Sequence, residues 1–574
     1  MDEAFIPDTI RFGRELTQPA IASGREYLMT YHEAYCSSSF AGNSRRYHGL
    51  FIDHGRIILS SLHETINGIS LLPGWWGDRP IHESVAHILS ARLYPVTEEF
   101  FLGSALVTRT RELDQGLRIR WEITGTADLE IRPLMIDRSI HDLGSEHQIQ
   151  VEPVQGGYDW NGYQFRCTLP FTSEEHHYFH ARYPLDAARG YEDQEDLFSP
   201  GIFAGTITND IIELGVYPGG TYHLRTSPAP PRDLINRASH LCIQNGKIIT
   251  GYHGLMQARG RDTFISMPGL LLAYGRYHQA EDLFRQYLRH RNGGLIPDRI
   301  PDSYNSADGS LWFFWALFQY LQTQQNSPFV DGIIPDLESL IMSYPETVHT
   351  SMEHDLITVS PHSTWMNTRY TPREGKPVEI NALWVLALEV CEYLEINVPV
   401  SSKQVRRSFY SFWNEATGCL YDVLDPDDAA VRPNQLIALA LGLVPFDEGR
   451  RALDTIQNTL LTPYGPRTLA PGSPGYQGTY TGDAFCHNGM VCPWLMAWYI
   501  DALIQYGEHP WHVSRVLHPL SSYFLSDGCG MIPELFDGDF PYTPRGAICQ
   551  ARSTGEFIRA RNTILSLQGT RNDE

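Results

Sequence analysis

Several loops in the second half of the chain place acid or amide side chains beside aromatic rings. They are Gly260-Arg-Asp-Thr263, Ser306-Ala-Asp-Gly-Ser-Leu-Trp312, Thr364-Trp-Met-Asn367 and Pro533-Glu-Leu-Phe-Asp537. Hydrolysis of a glycosidic bond needs this combination, because one carboxyl protonates the leaving oxygen, another deprotonates water or attacks carbon, and rings hold the sugar. Loop carboxylates also cap helices and close turns, so these residues alone leave a structural role open.

Other signals of cofactor chemistry are missing from the second half of the sequence. It contains no G-x-x-x-x-G-K-[ST] loop, no G-x-G-x-x-G after a strand and no H-E-x-x-H. Nucleotide-binding and metalloprotease functions are therefore disfavoured. We expect neither a cofactor nor a metal ion.

Composition and charge narrow the choice of partner. With 67 acidic and 44 basic side chains the formal net charge is −23, which repels a polyanion, so we expect no nucleic-acid partner. The 12 Trp and 30 Tyr suit a sugar-binding cleft, although a single ring more often packs a core.

Nine cysteines without a C-x-x-C pair indicate free thiols in a reducing compartment. The start of the chain has no basic, apolar leader and no long apolar run follows, which predicts a soluble cytoplasmic protein without a membrane span.

The pattern of apolar residues changes along the chain and predicts two domains. Short β-rich runs such as Leu117–Thr124 and Gln164–Leu169 predict an antiparallel sandwich over residues 1–225. The proline-rich segment Arg225–Arg232 predicts an extended connector within residues 226–239. Residues 240–574 then carry apolar side chains three and four apart, which predicts helices at Ala280–Arg289, Ser310–Gln322, Val378–Tyr393, Gln435–Gly442 and Pro493–Tyr506.

A series of motifs runs in order along most of the chain. They are Glu26-Tyr-Leu-Met-Thr30, Ser44-Arg-Arg-Tyr-His-Gly-Leu50, Gly260–Leu270, Gly294-Leu-Ile-Pro297, Tyr304–Trp312, Gly375–Trp384, Arg432-Pro-Asn-Gln435 and Leu535-Phe-Asp-Gly-Asp539. Together they resemble the landmarks of the archaeal-type glycogen-debranching (amylo-α-1,6-glucosidase) family. The resemblance implies an N-terminal antiparallel β-sandwich followed by an (α/α)6 toroid of the glucoamylase-like six-hairpin type, with the active site at one mouth.

The same resemblance implies a reaction. The family removes, with inversion, the α-1,6-linked glucose at a branch of glycogen, so the expected substrate is a branched α-glucan or oligosaccharide. Glu534 matches the family's general base. Asn367 stands where the family has the general acid, the Asp of T-W-M-D. An amide has no proton to give at neutral pH and cannot do this job.

Other departures accompany the change at Asn367. The loop between Trp365 and Pro372 is shorter than in the family, and Arg259, Cys492 and Arg552 stand where the family usually has aromatic rings. Several changes around one mouth indicate altered or lost chemistry.

Further positions are expected to bind the sugar by resemblance, each with a structural alternative. Arg261 and Asp262 would form charge-assisted bonds to the hydroxyls of the terminal glucose, or else cap and pair at a helix start. Asp308 and Trp312 would line a subsite, or else serve as an N-cap and a core ring. Glu379 is either a sugar ligand or a capping acid. The remaining expected contacts are Trp365, Trp494 and His487, the last as a hydroxyl contact rather than a metal ligand.

Two hypotheses remain open from the sequence. The first is a debranching-type α-glucosidase with Glu534 as base and a substitute acid, for which Glu374 and Asp355 are the nearest carboxylates in the sequence. The second is a non-catalytic relative that binds glucan or regulates its metabolism. An inverting pair requires a carboxyl about 6.5–9.5 Å from the base, which separates the two hypotheses.

Overall fold

The structure, a computed structural model, describes residues 7–77, 79–80, 83–144, 149–219 and 233–569. The described chain divides into two compact units, one made of residues up to Arg237 with Leu525–Gly530 and the other of Ala238–Phe524 with residues 531–569. The proline-rich connector expected at residues 225–232 lies outside the described residues, and the domain bounds drawn from the sequence stay a prediction.

The first unit is built of antiparallel strands. In chain order they are β1 Ile10–Phe12, β2 Glu26–Tyr31, β3 Ala34–Ser39, β4 Gly49–Asp53, β5 Arg56–Ile66, β6 Ile69–Ser70, β7 Trp75–Trp76, β8 Arg79–Pro80, β9 Ile88–Leu93, β10 Val96–Leu102, β11 Ala105–Leu113, β12 Leu117–Thr124, β13 Thr126–Ser139, β14 Glu152–Val154, β15 Gly157–Trp160, β16 Tyr163–Cys167, β17 Phe171–Arg182, β18 Gln194–Thr208 and β19 Ile211–Pro218. The short helices of this unit are α1 Pro19–Gly24, α2 Glu83–Ala86 and α3 Pro184–Ala187.

These strands form two sheets among the described residues. One has the order β1-β9-β10-β11-β12-β19-β16-β15-β14, and the other the order β2-β3-β4-β5-β13-β18-β17-β7-β8, with β6 paired to β5. The predicted sandwich is confirmed. Strand β12 illustrates why the two sheets pack together. Its residues Leu117, Ile119, Trp121 and Ile123 are buried and alternate with more exposed neighbours, so one face of the strand is apolar. Strand β16 ends at Cys167, two residues before the end of the predicted run.

The second unit is mainly helical. Its α-helices are α4 Leu234–Leu241, α5 Gly260–Leu270, α6 Tyr277–Arg289, α7 Gly309–Thr323, α8 Pro328–Ser343, α9 Val378–Tyr393, α10 Ser402–Phe409, α11 Gln435–Ala440, α12 Phe446–Thr459, α13 Leu495–Gln505, α14 Pro510–Val516, α15 His518–Leu525 and α16 Ala551–Gly569. Short strand pairs lie in its loops: β20 Ile243–Gln244, β21 Lys247–Ile248, β22 Gly251–Tyr252, β23 Thr350–Glu353, β24 Leu356–Val359, β25 Lys376–Pro377, β26 Trp413–Asn414, β27 Cys419–Leu420, β28 Val423–Leu424, β29 Leu461–Thr462, β30 Gly465–Pro466, β31 Leu535–Phe536, β32 Pro544–Arg545 and β33 Cys549–Gln550.

The buried helices of this unit close into a ring. Within the described residues, α5 contacts α7, α7 contacts α9, α9 contacts α11, α11 contacts α13, α13 contacts α16, and α16 returns to α5. Helix α5 is buried along its whole length, as expected of a helix that is enclosed on every side. More amphipathic helices such as α6 and α12 bury only one face. The predicted toroid is confirmed, and the predicted helices agree with the observed ones to within a few residues.

Helices α5 and α16 meet backbone to backbone. A Cβ atom added to Gly269 would lie 1.8 Å from the carbonyl oxygen of Gly555, and one added to Gly555 would lie 2.8 Å from the carbonyl oxygen of Ser266. Both distances are too short for any side chain. The two helices therefore approach this closely because both positions are glycine.

The cysteines and the lengths of the helices are two further features of the described residues. All nine cysteines are free thiols, and the Sγ atoms of Cys242 and Cys549 lie 3.7 Å apart. Among the helices that the structure describes, none has the length and apolar character needed to cross a membrane.

The contact between α5 and α16 yields a stability prediction. Gly269→Ala should lower the free energy of unfolding by at least about 1–3 kcal/mol, because overpacking a rigid interface forces the backbones apart. The matched control is Gly332→Ala in α8, where an added Cβ meets nothing within 4 Å. That change should be neutral or stabilise by up to about 1 kcal/mol through helix propensity. Urea unfolding followed by far-ultraviolet circular dichroism measures both, and equal midpoints would contradict the assignment.

Candidate active site

Arg261 and Asp308 form a buried ion pair at the starts of α5 and α7. The Arg261 Nε lies 2.7 Å from each carboxylate oxygen of Asp308, and its Nη2 lies 2.6 Å from Oδ1. Ser306 donates a further hydrogen bond of 3.0 Å to Asp308. Both charges are thus satisfied inside the protein. Arg261 pairs with Asp308 and not with its neighbour Asp262, and the Asp308 side chain makes no capping hydrogen bond to α7.

Asp262 has different partners from its neighbour Arg261. Its Oδ2 accepts a hydrogen bond of 2.7 Å from the Thr250 hydroxyl, and its Oδ1 lies 3.0 Å from the Nε of Arg552. The Arg552 guanidinium also lies over the ring of Trp494, 5.8 Å from its centroid. The sequence marked Arg552 only as a lost ring, whereas the structure makes it the cation that joins α16 to Asp262 and Trp494.

The predicted aromatic residues form a continuous wall. The Trp494 ring contacts Trp312 at 5.9 Å and Trp365 at 5.2 Å, both edge to face. The Trp365 ring in turn meets His487 at 5.2 Å. Exposure of the three indoles is 4% or less, so they pack against one another and do not offer a flat face to solvent.

A buried polar network holds the Trp365 end of this wall. The Trp365 indole donates to Asn434 at 2.9 Å, and Asn434 donates to Asp422 at 2.7 Å. Arg373 donates to Asp422 at 2.8 Å and to Glu379 at 2.7 Å. Burial raises the pKa of Glu379, while Arg373 opposes the rise. Glu379 is therefore an internal partner of Arg373, in a network that also includes Asp422 and Asn434.

Asn367 lies on the exposed part of the loop that follows Trp365. Its carbonyl oxygen lies 3.2 Å from the Nδ1 of His362. The loop is closed by the Thr368 and Thr371 hydroxyls, which lie 2.9 Å apart, and it reaches His487 through a contact of 3.2 Å from Thr371. Asn367 thus faces solvent on a loop that contacts the aromatic wall through His487.

His487 is a neutral imidazole in this environment. Burial lowers the pKa of His487 to about 3, and the nearby guanidinium groups of Arg432 and Arg552 contribute to the shift. The backbone carbonyl of His487 accepts a hydrogen bond of 2.8 Å from Arg432. A neutral ring can accept or donate a hydrogen bond to a hydroxyl, as it does with Thr371.

Glu534 is partly exposed and is held by the bend between β32 and β33. Its backbone N–H donates to the Ala547 carbonyl at 2.8 Å, and the Ala547 N–H donates to its Oε2 at 3.0 Å. Gly546 has a φ of +70°, and a Cβ there would lie 2.3 Å from that same oxygen. Only glycine satisfies both the backbone angle and the close approach.

The charges around Glu534 tune its proton affinity. Burial raises the pKa of Glu534, the Ala547 N–H and Arg552 oppose the rise, and Asp483 and Asp262 add to it. A carboxylate with a raised pKa is a stronger base once ionised, which suits the activation of water.

The predicted residues fall into three groups by position. Asp262, Trp494, Trp365 and His487 form a connected series, and Glu534 is coupled to it through Arg552 and Asp262. Asp308, Arg261, Trp312 and Glu379 support this series from the interior. Asn367 is joined to it through its loop.

The two substitute acids named from the sequence lie elsewhere on the loops. Asp355 occupies the turn between β23 and β24 and accepts a hydrogen bond of 3.3 Å from Ser408 of α10. Glu374 is exposed beside Arg373. The sequence reasoning missed Asp483 and Gly546, since neither stands in a motif and only the folded loops reveal their contacts with the Glu534 region.

The chain is similar to known proteins in its sequence families and in its fold. Residues 233–559 match the family described as amylo-alpha-1,6-glucosidase, and residues 25–210 match the glycogen debranching enzyme N-terminal family. A bacterial glucoamylase complexed with acarbose superposes with a TM-score of 0.55 at 10% identity, covering 98% of this chain and 94% of its own. This likeness concerns the fold.

Two other solved structures, both from Thermus thermophilus, overlap less. An uncharacterized conserved protein gives a TM-score of 0.44 at 11% identity over 57% of this chain and 98% of its own. A mannosylglycerate hydrolase in complex with Tris gives 0.44 at 10% identity over 57% of this chain and 99% of its own. The two family matches together span most of the sequence, and the chain accordingly belongs to the amylo-alpha-1,6-glucosidase family.

Proposed function

We propose that this protein is a glycoside hydrolase that releases, with inversion, the α-1,6-linked glucose at a branch of a glycogen-like α-glucan or oligosaccharide. The observation that carries the proposal is the setting of Glu534. This carboxylate is partly exposed, is oriented by the Ala547 N–H, and has a raised pKa beside Arg552 and Asp262. Glu534 is the general base that deprotonates the attacking water.

Several features of the described residues support a sugar-binding cleft around this base. The Arg552–Asp262 pair and the neutral His487 supply fixed donors and acceptors for hydroxyl groups. The buried rings of Trp494 and Trp365 hold these polar groups in place, since Trp494 contacts Arg552 and Trp365 contacts His487.

A second candidate function is a glucan-binding relative without activity. Asn367, at the position of the family's acid, favours it because an amide cannot protonate the leaving oxygen. The two functions differ in one measurement, since the binding protein holds a branched limit dextrin in calorimetry and releases no glucose from it.

The role of Glu534 gives the first activity prediction. Glu534→Gln should reduce glucose release from a branched limit dextrin by about 10²–10⁴-fold, because positioned proton transfer contributes that much. The matched control is Glu346→Gln, an exposed residue near α8, which should leave the rate unchanged. Wild-type activity that survives Glu534→Gln would assign the base to another residue.

The pKa of Glu534 gives a pH prediction. A base acts only when ionised, so kcat/KM should rise with pH through the raised pKa, and its acid limb should lie above the ordinary Glu value of about 4.3. Arg552→Met removes a cation that favours the ionised form, so the acid limb should move to higher pH. Arg515→Met, on the exposed side of α14, serves as the control. A limb that stays in place, or moves to lower pH, argues against this electrostatic coupling.

Gly546 provides a test of geometry. Gly546→Ala should lower kcat by roughly 10²-fold, because the new Cβ displaces the Glu534 carboxylate and a shift of about 1 Å has that effect. Gly246→Ala is the matched control, since Gly246 has a similar φ of +75° and an added Cβ there meets nothing within 4 Å. Both variants bear the same backbone strain. Equal activity in steady-state assays of the two would show that the carboxylate is not displaced.

A further inference from the structure

The proposed reaction needs a proton donor, and Asn367 cannot be that donor. We infer that Asp483 is the general acid of this site, an inference that rests on the proposed function. In the step, the Asp483 carboxyl gives its proton to the glycosidic oxygen as the C1–O bond breaks. Water forms the new bond to C1 and passes its proton to Glu534. Both carboxyls then return to their starting states by exchange with solvent.

The loop that carries Asp483 is tied to the segment that carries Glu534. Asp483 begins a single 3-10 turn, Asp483–Phe485. Just before it, the Tyr480 hydroxyl donates to the Asp483 carboxylate, and the Tyr480 N–H donates to Asp537 at 2.8 Å. Asp537 lies three residues after Glu534 along the chain. The Asp483 carboxylate is therefore oriented by a side chain whose backbone is fixed to the Glu534 segment.

The other end of the same turn contacts the loop where the family's acid would stand. The Phe485 ring stacks on Tyr370 at 4.4 Å with an angle of 19° between their planes. Two residues later, His487 meets Thr371 at 3.2 Å. Asp483 thus stands on a segment that contacts both the Glu534 segment and the Asn367 loop, a position from which it can replace an acid at 367.

Burial and exposure distinguish Asp483 from Asp262. Asp262 and Asp483 both raise the pKa of Glu534, so both lie within electrostatic reach of it. One oxygen of Asp262 accepts from Thr250 and the other faces the Arg552 guanidinium, so Asp262 is buried in a fixed ion pair. Asp483 is exposed, where a substrate can reach its carboxyl.

The test compares two substrates that differ in their need for a proton. An α-1,6-linked glucosyl disaccharide requires protonation of the leaving oxygen, whereas α-glucosyl fluoride loses fluoride without such help. Asp483→Asn should lower kcat/KM for the disaccharide by about 10²–10⁴-fold and leave hydrolysis of the fluoride within a few fold of wild type. Glu534→Gln should lose both activities. Asp302→Asn, at an exposed turn, is the matched control and should change neither.

Each alternative outcome overturns a specific statement. Equal losses on both substrates would make Asp483 a positioning residue, and an unchanged rate on the disaccharide would remove it from the reaction. Selective loss in Asp355→Asn or Glu374→Gln would move the acid to that residue. If the wild-type protein hydrolyses neither substrate, the proposed function itself fails. Thermal unfolding of each variant shows whether a loss reflects chemistry or folding.

Discussion

The close approach of α5 and α16 is the constraint on which the candidate site depends. Gly269 and Gly555 let the two backbones touch, and the same packing brings Asp262 of α5 within 3.0 Å of Arg552 of α16. The guanidinium then acts on Glu534, His487 and Trp494. A wider helix spacing would separate the cation from its carboxylate, and the proton affinities of both Glu534 and His487 would change with it.

A network of buried ions lies behind this site, and two large free-energy terms nearly cancel in it. Taking Arg373, Glu379 and Asp422 out of water carries a cost that their mutual attraction roughly offsets, whereas removing one partner alone costs about 3–5 kcal/mol. The network is therefore a poor source of net stability and a strong source of specificity, because only one arrangement satisfies all its members. Asn434 extends that arrangement to Trp365, so the position of the Trp365 ring depends on these buried charges.

Residue patterns in the sequence predicted individual helices and strands well, because they report burial, whereas the toroid was implied by the family resemblance. The helix over Val378–Tyr393 agrees at both ends, and the β-rich run Leu117–Thr124 coincides with strand β12. Periodicity says little about partners. From the sequence, Arg552 was only a position that lacks the family's ring, but in the structure it forms an ion pair with Asp262. Glu379 had two possible roles in the sequence, and in the structure it is paired with Arg373. Contacts between loops distant in sequence, such as Tyr370 with Phe485, leave no trace in local spacing.

The aromatic wall has an optical consequence. Ring centroids of Trp312, Trp494 and Trp365 follow one another at 5.9 and 5.2 Å, and Trp498 lies 5.8 Å from Trp312, so each indole absorbs light in the field of aromatic neighbours. Their fixed, asymmetric arrangement makes the group a source of near-ultraviolet circular dichroism. Trp365 belongs to the Asn367 loop and touches His487, so a displacement of that loop alters the shared spectrum. Near-ultraviolet circular dichroism of these indoles therefore reports the position of the Asn367 loop without an attached dye.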